Sequence, residues 1–207
     1  MLNRKEAIHI ILAWLTLSLT FGLVRGEKEF FILLPMILVV IFGNILAKKI
    51  SSSHFDAKIK IKLWEVKRYW FRPHDYFKSP VPLGIVLPFI LLVLTQGALT
   101  WFACLVFDTK AKLRRVAKRH GFRSFSEMTE KHTALIAGAG ILANILLAFV
   151  GLLLNFPIFA KLNLYYSLFN LIPISNLDGN KIFLGNFLIW AFLLSLTLIG
   201  LISLIAL

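Results

Sequence analysis

The stretch Val81-Pro82-Leu83-Gly84-Ile85-Val86-Leu87-Pro88-Phe89-Ile90-Leu91-Leu92-Val93-Leu94-Thr95-Gln96-Gly97-Ala98-Leu99-Thr100-Trp101-Phe102-Ala103-Cys104-Leu105-Val106-Phe107 decides how the rest of the chain is arranged. It is longer than the roughly 20 helical residues needed to cross a hydrocarbon core. Yet Pro82, Gly84, Pro88, Gln96 and Gly97 interrupt it. A helix broken there exposes backbone groups that hydrocarbon tolerates only where protein or water covers them. The run therefore either crosses once or enters and leaves on one face. The flanking charge chooses between the two. Of 23 Lys and Arg residues, nine lie in the loop 48–80 and eight in the loop 108–132. A single crossing would divide the cations 12 against 11, whereas a re-entrant run gathers 20 on one side and leaves 3 on the other. Cytoplasmic loops carry the excess of Lys and Arg. The expectation is a re-entrant segment at 81–107, an amino terminus in the cytoplasm and a carboxyl terminus outside the cell membrane.

Outward from that run, composition points the same way. Apolar residues make up 58% of the 207, only 16% are charged, and the mean hydropathy is +0.81. A soluble domain is usually about half apolar and a quarter charged. Five further apolar runs, 7–24, 30–47, 133–154, 158–175 and 183–207, read as spanning helices. The fold class expected is an α-helical polytopic membrane protein, one membrane domain over 1–207. The first run follows Arg4 and Lys5, as a leader would, but a second span begins after only residues 25–29, so it is read as retained.

In the first basic loop, Ala57-Lys58-Ile59-Lys60-Ile61-Lys62-Leu63-Trp64-Glu65-Val66-Lys67 alternates apolar and polar residues, the period of a half-buried strand. A small β element at the cytoplasmic membrane surface is expected there, its lysines toward solvent or headgroups, with a further strand at 99–106. In the second loop, 110–123 reads as a basic surface helix. Both loops would attract anionic lipid of the bilayer, at about 1 kcal/mol per charge near the surface. The flanking spans account for this charge, so nucleic acid is not expected as a partner. The single Cys104 can form no internal disulfide and reads as a buried thiol.

An ionisable residue among apolar spans is costly, so each is a candidate for function. Asp178 is the most informative, in Phe169-Asn170-Leu171-Ile172-Pro173-Ile174-Ser175-Asn176-Leu177-Asp178-Gly179-Asn180. One span earlier stands Ala139-Gly140-Ile141-Leu142-Ala143-Asn144. Read on their own, Gly138 and Gly140 mark close helix packing, and Asp178-Gly179 marks a turn whose carboxylate accepts backbone N–H bonds. Together the two segments resemble the site-2 protease family of intramembrane zinc metalloproteases. The resemblance makes Asp178 the equivalent of that family's third zinc ligand and places Asn170, Pro173 and Asn144 in an inherited site. Asn180 and Ile141 depart from it, where the family has glycine and proline.

The resemblance breaks where hydrolysis would be done. Such a protease needs two histidines four apart on the second span, with a glutamate beside the first. By distance from the β element those positions fall on Gly43, Asn44 and Ala47, which neither bind zinc nor act as a base. No His-x-x-x-His occurs in the chain. His9 reads as a packed residue, and His54, His74, His120 and His132 as exposed loop residues. A hydrogen bond between Asn44 and Asp178, with Lys48 or Lys181 balancing the charge, is expected to hold the former site together. The reading is a non-catalytic relative that binds the transmembrane segment of a membrane-protein partner, with no cofactor. The alternatives are an active protease, with zinc on displaced ligands including Asp178, and a small transporter or channel.

Overall fold

The structure is a computed structural model, and it describes residues 3–68, 76–112 and 128–206. In chain order the elements are α1 (Arg4–Arg25), α2 (Glu27–His54), β1 (Ala57–Leu63), β2 (Val66–Arg68), β3 (Tyr76–Val81) and α3 (Leu83–Leu94). There follow β4 (Leu105–Ala111), α4 (Glu130–Leu153), α5 (Pro157–Leu171), α6 (Asp178–Gly185) and α7 (Phe187–Ala206). Four helices are long and apolar enough to cross a membrane: Arg4–Val24, Glu29–His54, Glu130–Leu153 and Phe187–Leu204. The chain divides into two compact units, Met1–Ile37 with Ile61–Val106, and Leu38–Lys60 with Phe107–Leu207.

The fifth expected span is a shorter helix than the apolar run suggests. The run 158–175 forms only the 15 residues of α5. At 1.5 Å per residue that is about 22 Å, short of the hydrocarbon thickness. The helix stops because Pro173 offers no N–H and disfavours helical backbone at Ile172, whose ψ is 124°. The run 183–207 also begins differently, since Phe183 belongs to α6 and the helix restarts at Phe187 after a break at Asn186.

In the first unit the two ends of the apolar run 81–107 meet. Trp64 accepts a hydrogen bond from the Gly84 N–H at 2.9 Å and donates its own N–H to the Cys104 carbonyl at 2.8 Å. A side chain at Gly84 would fall on that carbonyl, so the close approach requires glycine. Between these points α3 runs for 12 residues, about 18 Å, before Gln96 and Gly97 turn the chain with positive φ. The run doubles back. The strand expected at 99–106 lies later, at Leu105–Ala111, and the residues before it form an irregular buried segment. Trp101 stacks on Trp64 at 5.8 Å and Phe102 meets Phe21 at 4.9 Å, which buries this segment without a ladder. Here too α1 holds β1: Glu6 Oε1 accepts from Ile61 N–H at 3.2 Å and His9 Nδ1 from Leu63 N–H at 3.3 Å.

β1 buries Ala57, Ile59, Ile61 and Leu63 and exposes the three lysines between them, the alternation its sequence dictates. It ends at Trp64, where the chain turns before β2, so the expected β element comprises two strands. β1 pairs with β4, and the bonds Trp64 N to Cys104 O and Lys112 N to Asp56 O run it antiparallel. β2 pairs antiparallel with β3, Val66 opposite Val81. The basic helix expected at 110–123 is contradicted at its start, because Lys110 and Ala111 extend β4, whose ladder claims their backbone groups. Residues 113–127 lie outside the described residues, as do His74 and His120.

In the second unit α5 is a largely buried helix. Nine of its 15 residues are buried, so a helix carrying Asn163, Ser167 and Asn170 presents little polar surface to lipid. α4 and α5 pack antiparallel across small residues. The open side of Gly151 faces Phe159 and Ala160, and Ala148, Ala160, Leu164 and Leu201 form one apolar cluster. The outer faces carry large apolar side chains such as Phe149, Leu188, Phe192 and Ile199, as lipid-facing surfaces do.

Candidate functional site

Three separate stretches of the second unit supply the site. The segment after α5 folds tightly before α6. A side chain at Gly179 would collide with the backbone of Leu171 and Ile172, so only glycine lets the first turn of α6 sit on the end of α5. Trp190 Nε1 donates to the Leu171 carbonyl at 2.8 Å and ties α7 to the same point. This fixes Asp178, the first residue of α6, inside the unit with no exposed surface.

Its partner is Lys48. The ammonium of Lys48 and Oδ2 of Asp178 form an ion pair in which both side chains are buried, at 4% and 0% exposure. Lys48 also lies over the Phe107 ring at 5.2 Å, while Lys181 sits 3.9 Å above the same ring and donates to the Phe107 carbonyl. Of the two lysines expected to balance Asp178, Lys48 takes the carboxylate. The expected Asn44–Asp178 hydrogen bond does not form. Both polar atoms of the Asn44 side chain and Oδ1 of Asp178 have no hydrogen-bond partner among the described residues. The reason is electrostatic: an ammonium within reach of a desolvated carboxylate gains far more than a neutral amide does. Nor, among the described residues, does the carboxylate accept the backbone N–H bonds of a simple turn.

α4 brings the second expected segment alongside. Gly140 lets α2 approach closely: a Cβ there would stand 2.5 Å from Lys48 Cε and 3.0 Å from Asn44 Nδ2. One turn further, Asn144 Nδ2 reaches the Val40 carbonyl at 3.5 Å. Asn44 and Lys48, four residues apart on α2, both face Gly140, and Lys48 reaches Asp178. Gly43 and Ala47 are half-buried, and the open side of Gly43 faces Leu147 instead.

Of the remaining expected residues, Asn170 is buried, and its Nδ2 donates to the Tyr166 carbonyl of its own helix at 2.8 Å. Pro173 is exposed and joins nothing; it acts by ending α5. Asn163 and Ser167, buried on α5, were overlooked in the sequence, although their spacing with Asn170 puts polar atoms on one helical face. Those three positions inside an apolar run were the available signal.

The site, as the described residues form it, does not fit zinc. A zinc centre needs three protein ligands from imidazole, thiolate or carboxylate. Among the described residues no three His, Cys, Asp or Glu come together. Asp178 is bound to a cation already, and the flanking groups are a neutral amide, a hydrocarbon and an ammonium, none of which ligates zinc or takes a proton from water. His9 is spent on Leu63, and His132 on Thr129 and Phe55. No family model, curated protein or solved structure matches the chain.

Proposed function

We propose that this chain is a non-catalytic membrane protein related to the site-2 proteases, which holds the transmembrane segment of a partner without cutting it. One observation carries the reading, the buried Lys48–Asp178 ion pair. Where the resemblance implies a metal bridging the second span to the aspartate, an ammonium supplies one positive charge in its place. It joins the same helices but offers neither a Lewis acid nor a bound nucleophile. Asn44, which sequence distance puts at the general-base position, is an amide and takes no proton from water. An active enzyme with displaced ligands finds no support in the surrounding side chains.

The partner-holding role rests on the resemblance, and the four long apolar helices are compatible with a multi-pass protein of the cell membrane. A cytoplasmic amino terminus, with the β1 lysines against anionic lipid, follows from the distribution of charge. The test is photocrosslinking from Phe42, exposed on α2 half a turn before Asn44. With a benzophenone amino acid there, the expected product is an adduct with an intact membrane protein, unaffected by zinc chelators. Adducts with lipid alone, or chelator-sensitive fragments of the captured protein, would overturn the reading.

A further inference from the structure

We propose that the interior of the second unit binds a chain of ordered water molecules, running along α5 and reaching the Lys48–Asp178 pair. The observation is a set of buried side-chain atoms without partners, and it is independent of any relation to proteases.

On α5, Asn163, Ser167 and Asn170 recur at i, i+4 and i+7, so they share one face over about 10 Å of helix. Their exposures are 0%, 0% and 1%. The amide nitrogens of Asn163 and Asn170 bond back to carbonyls of their own helix, at 2.9 Å and 2.8 Å. That leaves Oδ1 of each and the Ser167 hydroxyl with no partner among the described residues. Across the interface the same is true of Asn144 Oδ1 on α4, of both amide atoms of Asn44 on α2, and of Asp178 Oδ1. The α4–α5 register set by Gly151 against Ala160 and by Ala148 with Leu164 puts Asn144 level with Ser167. Gly140 brings Asn44 to the next turn, beside Lys48.

Buried polar atoms almost always have partners, in protein or in ordered water, and a group left bare is costly. The chemistry of the unpartnered atoms selects the ligand. Six of the seven are oxygens and one is an amide N–H donor. An anion would meet oxygens, and a metal cation would compete with the Lys48 ammonium for Asp178. Water donates two protons and accepts others, and a buried water typically makes about three hydrogen bonds in such a site. The buried ion pair is therefore hydrated on its Oδ1 side, which lowers its desolvation cost and gives it a route for proton exchange at membrane depth.

The test uses the full-length protein, labelled with 15N-asparagine in lipid nanodiscs, and measures magnetisation transfer from water to side-chain amides. Cross-peaks are expected from water to the Nδ2 protons of Asn163 and Asn170, as from exposed Asn176. Their absence while Asn176 responds overturns the proposal. Ser167→Ala provides a second reading. With water bound, the substitution removes a hydration partner and lowers the melting temperature by roughly 2–4 °C; a rise would mean a dry interface and overturn the proposal. Stabilisation by sodium but not by choline at equal ionic strength would assign the site to a cation instead, and likewise overturn it.

Discussion

Lys48 and Asp178, 130 residues apart in the chain, close an ion pair with almost no solvent contact. A buried pair is weak as a source of net stability but severe when one half is removed, since the survivor is a bare charge. Lys48→Met or Asp178→Leu alone should lose about 3–5 kcal/mol. The double variant Lys48→Met with Asp178→Leu should recover most of it. Denaturation in detergent, analysed as a double-mutant cycle, checks this; additive losses would mean the two residues do not interact.

Gly140 is the space through which α2 reaches Asp178. Gly140→Ala should push Lys48 and Asn44 away from their positions, at a cost of about 1–3 kcal/mol. Gly138→Ala is the internal control, because its added Cβ would meet Leu193 and Ile189 only at 3.5 Å and 3.7 Å. The melting temperatures of the two variants should therefore separate. Equal shifts would contradict the close approach at Gly140.

The odd-numbered N–H groups of β1 at Ile61 and Leu63 bond to Glu6 and His9 of α1. His9→Phe keeps the ring and removes the acceptor, so the Leu63 amide should exchange with deuterium faster while Trp64, bonded to Cys104, is unchanged. Peptide-level hydrogen exchange reads the difference, and uniform acceleration along β1 would point to loss of the whole strand instead.

Much of this architecture was legible in the sequence, and the failures have physical causes. Long apolar runs and the alternation of Ala57–Leu63 are periodic signals, and α1, α2, α4, α7 and β1 follow them. In the run 158–175 the helix is shorter than the apolar stretch, because apolar length says nothing of where a helix ends and Pro173 ends this one early. The strand at Leu105–Ala111 was placed too early because aromatic residues fit a stacked, irregular segment as well as a ladder. At the site, Asp178 and the second span were legible as partners. Which residues of that span face Asp178 was not legible, because distance along the chain cannot fix helical phase, whereas the contacts of Gly140 and Asp178 show that Lys48 does.

Burial pushes the Cys104 thiol up, far from its ordinary range, because no polar group offsets the loss of water. In the unfolded chain the thiol titrates near about 8.5. Above that pH the unfolded chain releases a proton that the folded chain keeps, so stability should fall as pH rises and be unaffected below it. Cys104→Ala should remove this slope between pH 8 and pH 10, a range taken from roughly that unfolded value. In the folded protein maleimide labelling at neutral pH should be slow, and rapid labelling would contradict the burial.

The central claim is that an internal ammonium, and no metal ion, sits on Asp178. Elemental analysis of the protein purified from membranes without chelator tests this most directly, with Asp178→Asn alongside. The prediction is a zinc content far below one ion per chain, the same in both proteins. One zinc per chain in the native protein, lost on Asp178→Asn, would contradict it.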